Sequence, residues 1–214
     1  MAVYMYVVAR DFGFAPNPFH GYCTLATCKP RTRSVAQVGD WIVGMGGGQL
    51  GAVGRCIFAM QVSQVMSFNE YWDSPAFLSK RPVRNGSRCM MLGDNIYNRD
   101  SDGAWHQMDS HHSQPDGSPD LDNIRNDTQT NRVLISDRFF YFGKEAPEVP
   151  AHILTKMGYR NLRNHRVFKD DECTALLGWL LNGYSQHTNE IMGDPFQFEK
   201  SGARYSVKGD KVIV

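Results

Sequence analysis

The sequence has almost no excess of charge of either sign. Its 214 residues include 23 lysines and arginines and 22 aspartates and glutamates, so the formal net charge at pH 7 is +1. This composition creates no global positive field of the kind that holds long duplex DNA. Nucleic-acid binding would have to use local basic clusters, of which residues 29–33 and 80–88 are the densest. We therefore expect a small ligand or a single displaced base.

Cysteines are also few. The chain has five, Cys23, Cys28, Cys56, Cys89 and Cys173, an odd number at wide spacings, with no apolar leader before them. Reduced thiols in the cytoplasm are the simplest interpretation. Cys23 and Cys28 are separated by four residues, but no second pair at metal-ligand spacing accompanies them. This spacing argues against a zinc site built on cysteine.

Long apolar runs and common catalytic motifs are missing as well. No segment approaches the ~20 apolar residues that cross a bilayer, so we expect no membrane partner. The chain has no nucleophile elbow and no HExxH helix, and the triple glycine at residues 46–48 lacks the Lys-Ser/Thr ending of a phosphate-binding loop. No internal repeat or low-complexity linker is evident. Length and composition predict a single domain over residues 1–214.

The most informative segment that is present spans residues 11–44, where aromatic, amide and cationic side chains are interleaved. A turn needs only Gly, Pro, Asn or Asp. This mixture instead suits a flat, anionic ligand such as a nucleotide, which is stacked, hydrogen-bonded and charge-paired at once. A loop packed on the core with solvated cations is the alternative interpretation. The predicted nucleotide-binding residues of this segment are Phe14, Asn17, Phe19, Lys29, Arg31 and Trp41.

Hydrophobic patterns predict an α+β protein. Strands are expected over residues 3–9, 23–28, 41–45, 55–65, 132–136 and 139–143, with a helical or irregular segment over residues 67–72. Residues 173–183 predict a helix with an apolar face in the core, because Asp170 and Asp171 precede it and a glycine ends it. The tail from residue 205 predicts a hairpin around Gly209-Asp210.

Residues 82–131 form a loop-rich insertion of Asp, Asn, Ser, Gly and His without sustained periodicity, which predicts mostly irregular surface and a lid or binding loop. Asp94 and Asn95 follow a glycine and could read a base edge, while Tyr97 or Trp105 could stack on its face. In the alternative interpretation they only close an Asx turn. We add His106 to these nucleotide-binding candidates.

The histidines of this insertion raise the question of a metal. His106, His111 and His112 could bind an ion together with Asp109 or Asp116. Adjacent histidines are poorly placed to ligate one ion, and a solvated polar loop explains them equally well. We predict neither a metal nor a cofactor.

Six segments together resemble a known family. They are residues 6–19, Cys23-Thr24-Leu25-Ala26-Thr27-Cys28-Lys29-Pro30, Gly39-Asp40-Trp41-Ile42, Lys80-Arg81-Pro82, Gly93-Asp94-Asn95-Ile96-Tyr97 and Asn164-His165-Arg166. The set is similar to the bacterial and phage family called the nucleotide-modification-associated domain, second type, over most of the chain. This resemblance implies a role beside DNA base or nucleotide modification.

A second, more distant resemblance concerns the fold. The Gly39-Asp40 turn that opens a strand, and the Val-x-x-Val ending at Val62 and Val65, are similar to PUA-like domains, which include the EVE, YTH and ASCH domains. That resemblance implies a mixed β-barrel with flanking helices and a cleft that takes up a nucleobase.

The resemblance to ASCH domains also implies an enzymatic alternative. The segment around Thr24 is similar to the region of ASCH-type amidohydrolases in which a threonine nucleophile and a lysine lie near a carboxylate. Thr24 or Thr27 would then be the nucleophile, Lys29 its base and Asp94 the acid. The surrounding residues differ from that family, since Cys28-Lys29-Pro30 replaces its arginine-bearing strand and no glutamate lies at a matching point.

These observations predict recognition of a nucleotide, or of a modified base in DNA, within a cytoplasmic DNA-modification or phage-defence pathway. The alternative is a nucleotide-modifying enzyme of the amidohydrolase kind. Enzymes of the same modification pathway are the expected partners. The sequence does not predict the base, the oligomeric state or whether chemistry follows binding.

Overall fold

The computed structural model describes residues 1–161, 164–169 and 171–213. Its strands are β1 (Ala2–Val8), β2 (Cys23–Leu25), β3 (Trp41–Gly46), β4 (Cys56–Gln61), β5 (Gln64–Met66), β6 (Tyr97–Arg99), β7 (Trp105–Gln107), β8 (Val133–Ser136), β9 (Arg138–Tyr141), β10 (Arg166–Lys169), β11 (Glu190–Ile191), β12 (Arg204–Ser206) and β13 (Lys211–Ile213). Its α-helices are α1 (Pro30–Val35), α2 (Phe68–Asp73), α3 (Arg88–Met91), α4 (Leu121–Asp127), α5 (Ala151–Lys156) and α6 (Asp171–Tyr184). Short 3-10 helices cover Gly48–Leu50, Pro75–Lys80, Gly143–Glu145, Ser185–His187 and Phe198–Lys200.

The chain is divided between two compact units, each assembled from three separate segments. Unit 1 consists of Met1–Asp11, Ala36–Ser63 and Ser136–Phe196. Unit 2 consists of Phe12–Val35, Gln64–Ile135 and Gln197–Val214.

Unit 1 is built on a six-stranded sheet in the order β10-β1-β3-β4-β9-β11. β1 pairs in parallel with β3, which pairs antiparallel with β4. Every residue of β3 is buried, so both faces of this strand are covered and its sequence is apolar without alternation. Gly44 in β3 has to be glycine, because a Cβ there would lie 2.0 Å from the Phe58 ring.

Unit 2 contains smaller sheets around an aromatic core. β2, β8 and β5 form a three-stranded sheet, and β6-β7 and β12-β13 form two hairpins. α2 begins with a capping box, in which Ser67 and Glu70 each bind the backbone N–H of the other. The core side chains include Phe12, Phe14, Phe19, Phe68, Tyr71, Phe77, Leu92, Ile96, Tyr97 and Ile124.

Most predicted elements are confirmed as α+β structure, with shifted ends. The strand predicted over residues 55–65 is interrupted after Gln61 and continues as β5. α6 confirms the helix predicted over residues 173–183, and Leu176, Leu177 and Leu180 are buried as predicted, while Asp170 lies outside the described residues. The tail forms the predicted hairpin, with Asp210 in the turn at φ 45°.

Two expectations about the fold need correction. Residues 82–131 are not a surface excursion: although rich in loops, they bury Leu92, Ile96 and Tyr97 and a string of polar side chains. Hydrophobic periodicity did not predict the burial of this segment, because polar contacts rather than an apolar stripe attach it to the core. The predicted barrel is not observed either, since the sheets of the described residues are open.

Two further predictions can be compared with the structure. The five cysteines form no disulfide. Among the described residues, no helix is long and apolar enough to cross a membrane.

Candidate active site

Cys28 lies in unit 2, on the short turn between β2 and α1. Its φ is 55° and that of Lys29 is 40°, both in the left-handed region. This conformation costs a residue with a side chain roughly 1–2 kcal/mol, so it persists only where the surroundings hold it. Cys28 is also partly exposed. A reachable thiol on a strained strand-to-helix turn is the setting in which hydrolases present a nucleophile.

His112 and Asp127 complete a chain of three side chains with Cys28. The Sγ of Cys28 lies 3.7 Å from Nε2 of His112. The Nδ1 of His112 lies 2.7 Å from Oδ2 of Asp127. Because an ionised carboxylate only accepts hydrogen bonds, Nδ1 carries a proton and Nε2 is the nitrogen that faces the thiol. His112 is 2 % exposed and Asp127 is fully buried.

The loop that carries His112 is held from several sides. The Oγ of Ser110 accepts a hydrogen bond from the His112 backbone N–H at 3.2 Å. The amides of Gln107 and Asn123 both donate to the His112 carbonyl, at 2.9 and 2.8 Å. The Phe14 ring packs against the imidazole with 4.7 Å between centroids. The ring orientation of His112 is therefore fixed by the fold.

Asp127 is the last residue of α4, and four donors surround its carboxylate. Oδ1 accepts from the backbone N–H of Cys28 at 2.8 Å and from the side-chain amide of Asn126 at 3.1 Å. Oδ2 accepts from the Tyr97 hydroxyl at 3.0 Å and from His112. These bonds use about all the acceptor positions that a carboxylate has, and they hold it beside the imidazole.

The electrostatics of the three groups favour a charged His112. Burial alone would lower the pKa of His112, but Asp127 and Cys28 raise it to about 10. Burial would raise the pKa of Asp127, yet the attraction of His112 lowers it. The neighbouring His111 has the opposite environment: burial and the charge of His112 lower its pKa to about 3. An imidazolium opposite a sulfur favours the nucleophilic thiolate.

The arrangement therefore has the parts of a nucleophilic triad. In such a triad the thiol of Cys28 would be the nucleophile, His112 would hold and move the proton, and Asp127 would orient the imidazole and stabilise its positive charge. The separation of 3.7 Å between sulfur and nitrogen is longer than that of an ordinary N–H···O hydrogen bond.

Cys28, His112 and Asp127 are also the one group of possible metal ligands found among the described residues. Their arrangement fits a metal poorly. The Cys28 sulfur, one nitrogen of His112 and one carboxylate oxygen of Asp127 all lie within 4.8 Å of one another, but Asp127 already uses Oδ2 to bind Nδ1 of His112. Its oxygens are already occupied by protein donors. A structural zinc site needs four ligands that converge on one point.

A second buried polar cluster contains Thr24 and Asp94, two residues of the predicted threonine mechanism. Oδ2 of Asp94 accepts from Thr24 and Oδ1 accepts from the Tyr71 hydroxyl, both at 2.8 Å. Burial raises the pKa of Asp94 and lowers the pKa of Lys80 to about 8. The Lys80 ammonium donates to the backbone carbonyl and side chain of Asn17 and to the carbonyl of Tyr22. All of these side chains except Tyr22 are buried.

The remaining candidates are dispersed. Phe14, Phe19, Asn95 and Tyr97 lie in the interior of unit 2, where Phe19 stacks on Phe198 and Tyr97 binds Asp127 through its hydroxyl. Trp41 is buried in unit 1, stacked on Phe140. His106 is exposed and pairs with Asp100 at 2.9 Å. Around Cys28, Arg31 is exposed, Lys29 is partly exposed, and Thr27 is buried with no partner for its hydroxyl.

The triad did not follow from the sequence. There, Cys28 is one of five reduced thiols, His112 is either a metal ligand or part of a solvated loop, and Asp127 carries no prediction. Two local signals were available: a cysteine just before Pro30 at a strand-to-helix junction, and a His-His pair in a chain with only seven histidines. The pairing itself joins residues 84 positions apart, which no local pattern reveals.

Comparison with known proteins identifies the family. The family model described as Nucleotide modification associated domain 2 matches residues 1–202. No curated protein and no solved structure gave a significant match. Since the match covers most of the 214 residues, the chain belongs to this family, as its motifs indicated. Membership supports a role in nucleotide-modification pathways.

Proposed function

We propose that this member of the nucleotide-modification-associated family is an enzyme that uses Cys28 as a covalent nucleophile on a modified nucleotide or base. The observation that carries the proposal is the chain from Cys28 through His112 to Asp127, with Sγ 3.7 Å from Nε2 and Nδ1 2.7 Å from the carboxylate. The family description supports a nucleotide as the substrate class, and the arrangement of the three side chains supports the reaction class.

The reaction we propose is hydrolysis of an acyl group carried on a base nitrogen. The Cys28 thiolate attacks the acyl carbon and forms a thioester, while the bond from that carbon to the base nitrogen breaks. His112 gives its proton to the departing nitrogen. Water then attacks the thioester, His112 takes a proton from that water, and the acid leaves. The thiolate and the imidazolium are restored, so no further co-reactant is needed.

This proposal keeps the amidohydrolase alternative but changes its nucleophile. Thr24 and Asp94 are buried and hydrogen-bonded to each other, which favours a structural role for both. Lys29 follows Cys28 directly, Arg31 lies two residues further on, and neither is fully buried, so we assign them to phosphate contact beside the thiol. A PUA-like relationship and a place in phage defence remain predictions from the resemblance, and a cytoplasmic location remains a prediction from the cysteines.

Recognition without turnover is the second candidate function. It is favoured by the same two cations, because they would hold a nucleotide at Cys28 whether or not a covalent bond forms. Under that function, Cys28→Ser would bind nucleotides as well as the wild type, and neither protein would release an acid.

The test is incubation of the purified protein with N-acylated nucleosides and nucleotides, with release of the acid followed by chromatography. We expect turnover by the wild type and a fall in kcat/KM on the order of 10³-fold in Cys28→Ser. The matched control is Cys89→Ser, which removes another partly exposed cysteine of unit 2. Equal acid release by the wild type and Cys28→Ser would refute a thiol mechanism.

A further inference from the structure

Arg33 is a cation that the fold hides completely. It belongs to the basic cluster at residues 29–33, yet its exposure is 0 %. Its guanidinium donates to backbone carbonyls. Nε donates to Cys28 at 2.8 Å, Nη1 donates to Arg132 at 2.6 Å, and Nη2 donates to Asp127. Arg33 is therefore unavailable as a phosphate contact.

The bonds of Arg33 close a ring through the triad. The backbone N–H of Cys28 donates to the carboxylate of Asp127, and the carbonyls of both residues accept from Arg33. Both backbone polar groups of the strained Cys28 are thus bound, one by Asp127 and one by Arg33. A cysteine with a left-handed backbone conformation persists only when its surroundings fix it in this way.

Only an arginine suits this position. Its planar fork directs several donors outward at fixed angles, whereas lysine offers a single ammonium on a flexible stem. The guanidinium also places positive charge near Asp127, and this attraction acts with that of His112 to lower the pKa of that carboxyl against the effect of burial. The Phe68 ring, 5.5 Å away, covers the guanidinium carbon.

We propose that Arg33 is the positioning residue of the thiol site: it ties the carbonyl of the nucleophile Cys28 to that of the orienting residue Asp127 and thereby keeps Sγ opposite His112. This inference rests on the proposed function, because it assumes that Cys28 is the nucleophile.

The test uses iodoacetamide, which reports thiolate reactivity without a nucleotide substrate. Alkylation of Cys28 is followed by peptide mass spectrometry from pH 5 to pH 9 in the wild type, Arg33→Lys and Arg33→Ala, with Cys89 as the internal reference. The titratable and charged groups around Cys28 are His112, Asp127, Lys29, Tyr97 and Arg33, and only Arg33 is changed. Arg84→Lys is the matched control, since Arg84 is another arginine of unit 2 whose guanidinium donates to backbone carbonyls, those of Met91 and Gly202.

We expect the Cys28 rate at pH 7 to fall about 10-fold or more in both Arg33 variants. Methylguanidine should restore part of the rate in Arg33→Ala, and Arg84→Lys should keep the wild-type profile. A role in stability alone would lower the thermal midpoint and leave the profile unchanged.

The possible failures can be told apart. If wild-type Cys28 reacts no faster than Cys89, the proposed function is wrong and the role of Arg33 falls with it. If wild-type Cys28 is reactive and both Arg33 variants match it, only the inference about Arg33 is overturned. Variants that do not fold even with methylguanidine would also overturn it, in favour of a role confined to folding.

Discussion

His111 and His112 are neighbours in the sequence and opposites in their chemistry. Nδ1 of His111 lies 2.7 Å from the backbone carbonyl of Ala203, and burial holds its pKa at about 3. His112 lies on a buried carboxylate and has a pKa of about 10. Groups whose environments drive their pKa values apart are often those with assigned acid and base roles. The neutral His111 holds the loop through its bond to Ala203. The charged His112 is the histidine that lies beside the Cys28 sulfur.

The raised pKa of His112 predicts a pH-dependent contribution to stability. The pKa rises from 6.5 to about 10 on folding, so the stabilisation is complete below pH 6.5 and is lost as the pH rises through about 10. We expect the free energy of unfolding of the wild type, relative to His112→Gln, to fall by roughly 3 kcal/mol between pH 6 and pH 9.5.

Urea unfolding of both proteins at the two pH values measures this difference. Lys80, whose pKa is lowered to about 8 by burial, adds stability as the pH rises over part of the same range. That contribution is present in both proteins and cancels. A difference that does not depend on pH would show that His112 is not charged in the folded protein.

Asp94 predicts a different response from the triad residues. Its carboxylate accepts hydrogen bonds from Thr24 and Tyr71 and is fully buried near Lys80. Asp94→Asn removes the charge that Lys80 faces, so we expect a loss of roughly 2–4 kcal/mol in the free energy of unfolding. The pH profile of Cys28 alkylation should not move. Unchanged stability together with lost acid release would return Asp94 to the catalytic site.

At the scale of elements, the site depends on three pieces of unit 2. β2 and α1 present Cys28 on their connecting turn, and α4 ends at Asp127. The N-cap of α4 is Asp120, whose side chain accepts from the backbone N–H groups of Asp122 and Asn123 at 3.0 Å. α4 therefore carries both the orienting carboxylate and Asn123, which holds the loop of His112.

Removing either of two helix caps should lower stability by a similar amount, but only one of the two removals should disturb the site. Asp120→Ala and Ser67→Ala each remove a cap, of α4 and α2 respectively, and each should cost about 1 kcal/mol of unfolding free energy. Only Asp120→Ala should also slow alkylation of Cys28, because only α4 ends at a triad residue. Chemical denaturation and alkylation rates provide the two readouts. Equal alkylation rates in both variants would contradict the dependence on α4.

The same elements show what the sequence could predict. The strands and α6 follow from periodicity and from β-branched and aromatic content, since each is decided by neighbours along the chain. The insertion did not follow, because Asn123, Gln107 and Ser110 act through hydrogen bonds to His112 rather than through an apolar stripe. Buried polar residues with satisfied hydrogen bonds are of the same types as the residues of a surface loop. Composition alone therefore does not distinguish the two cases.

At the scale of the molecule, the chain passes between the two units several times, because each unit is assembled from three separate segments. No composition shift along the sequence therefore marks a boundary between the units. Unit 2 nevertheless contains the whole triad, Cys28, His112 and Asp127. It also contains Arg33, Tyr97 and Asn123. The family motifs identified the chain correctly, while the chemistry emerged only from contacts between distant segments.

The central claim is that His112 activates Cys28, and one measurement tests it most directly. The rate of Cys28 alkylation by iodoacetamide at pH 6.5 is compared in the wild type and His112→Gln, each with Cys89 of the same molecule as reference. We predict that Cys28 reacts at least about 10-fold faster than Cys89 in the wild type and that this advantage disappears in His112→Gln. Equal rates for the two cysteines in the wild type, or an advantage that survives without His112, would contradict the account.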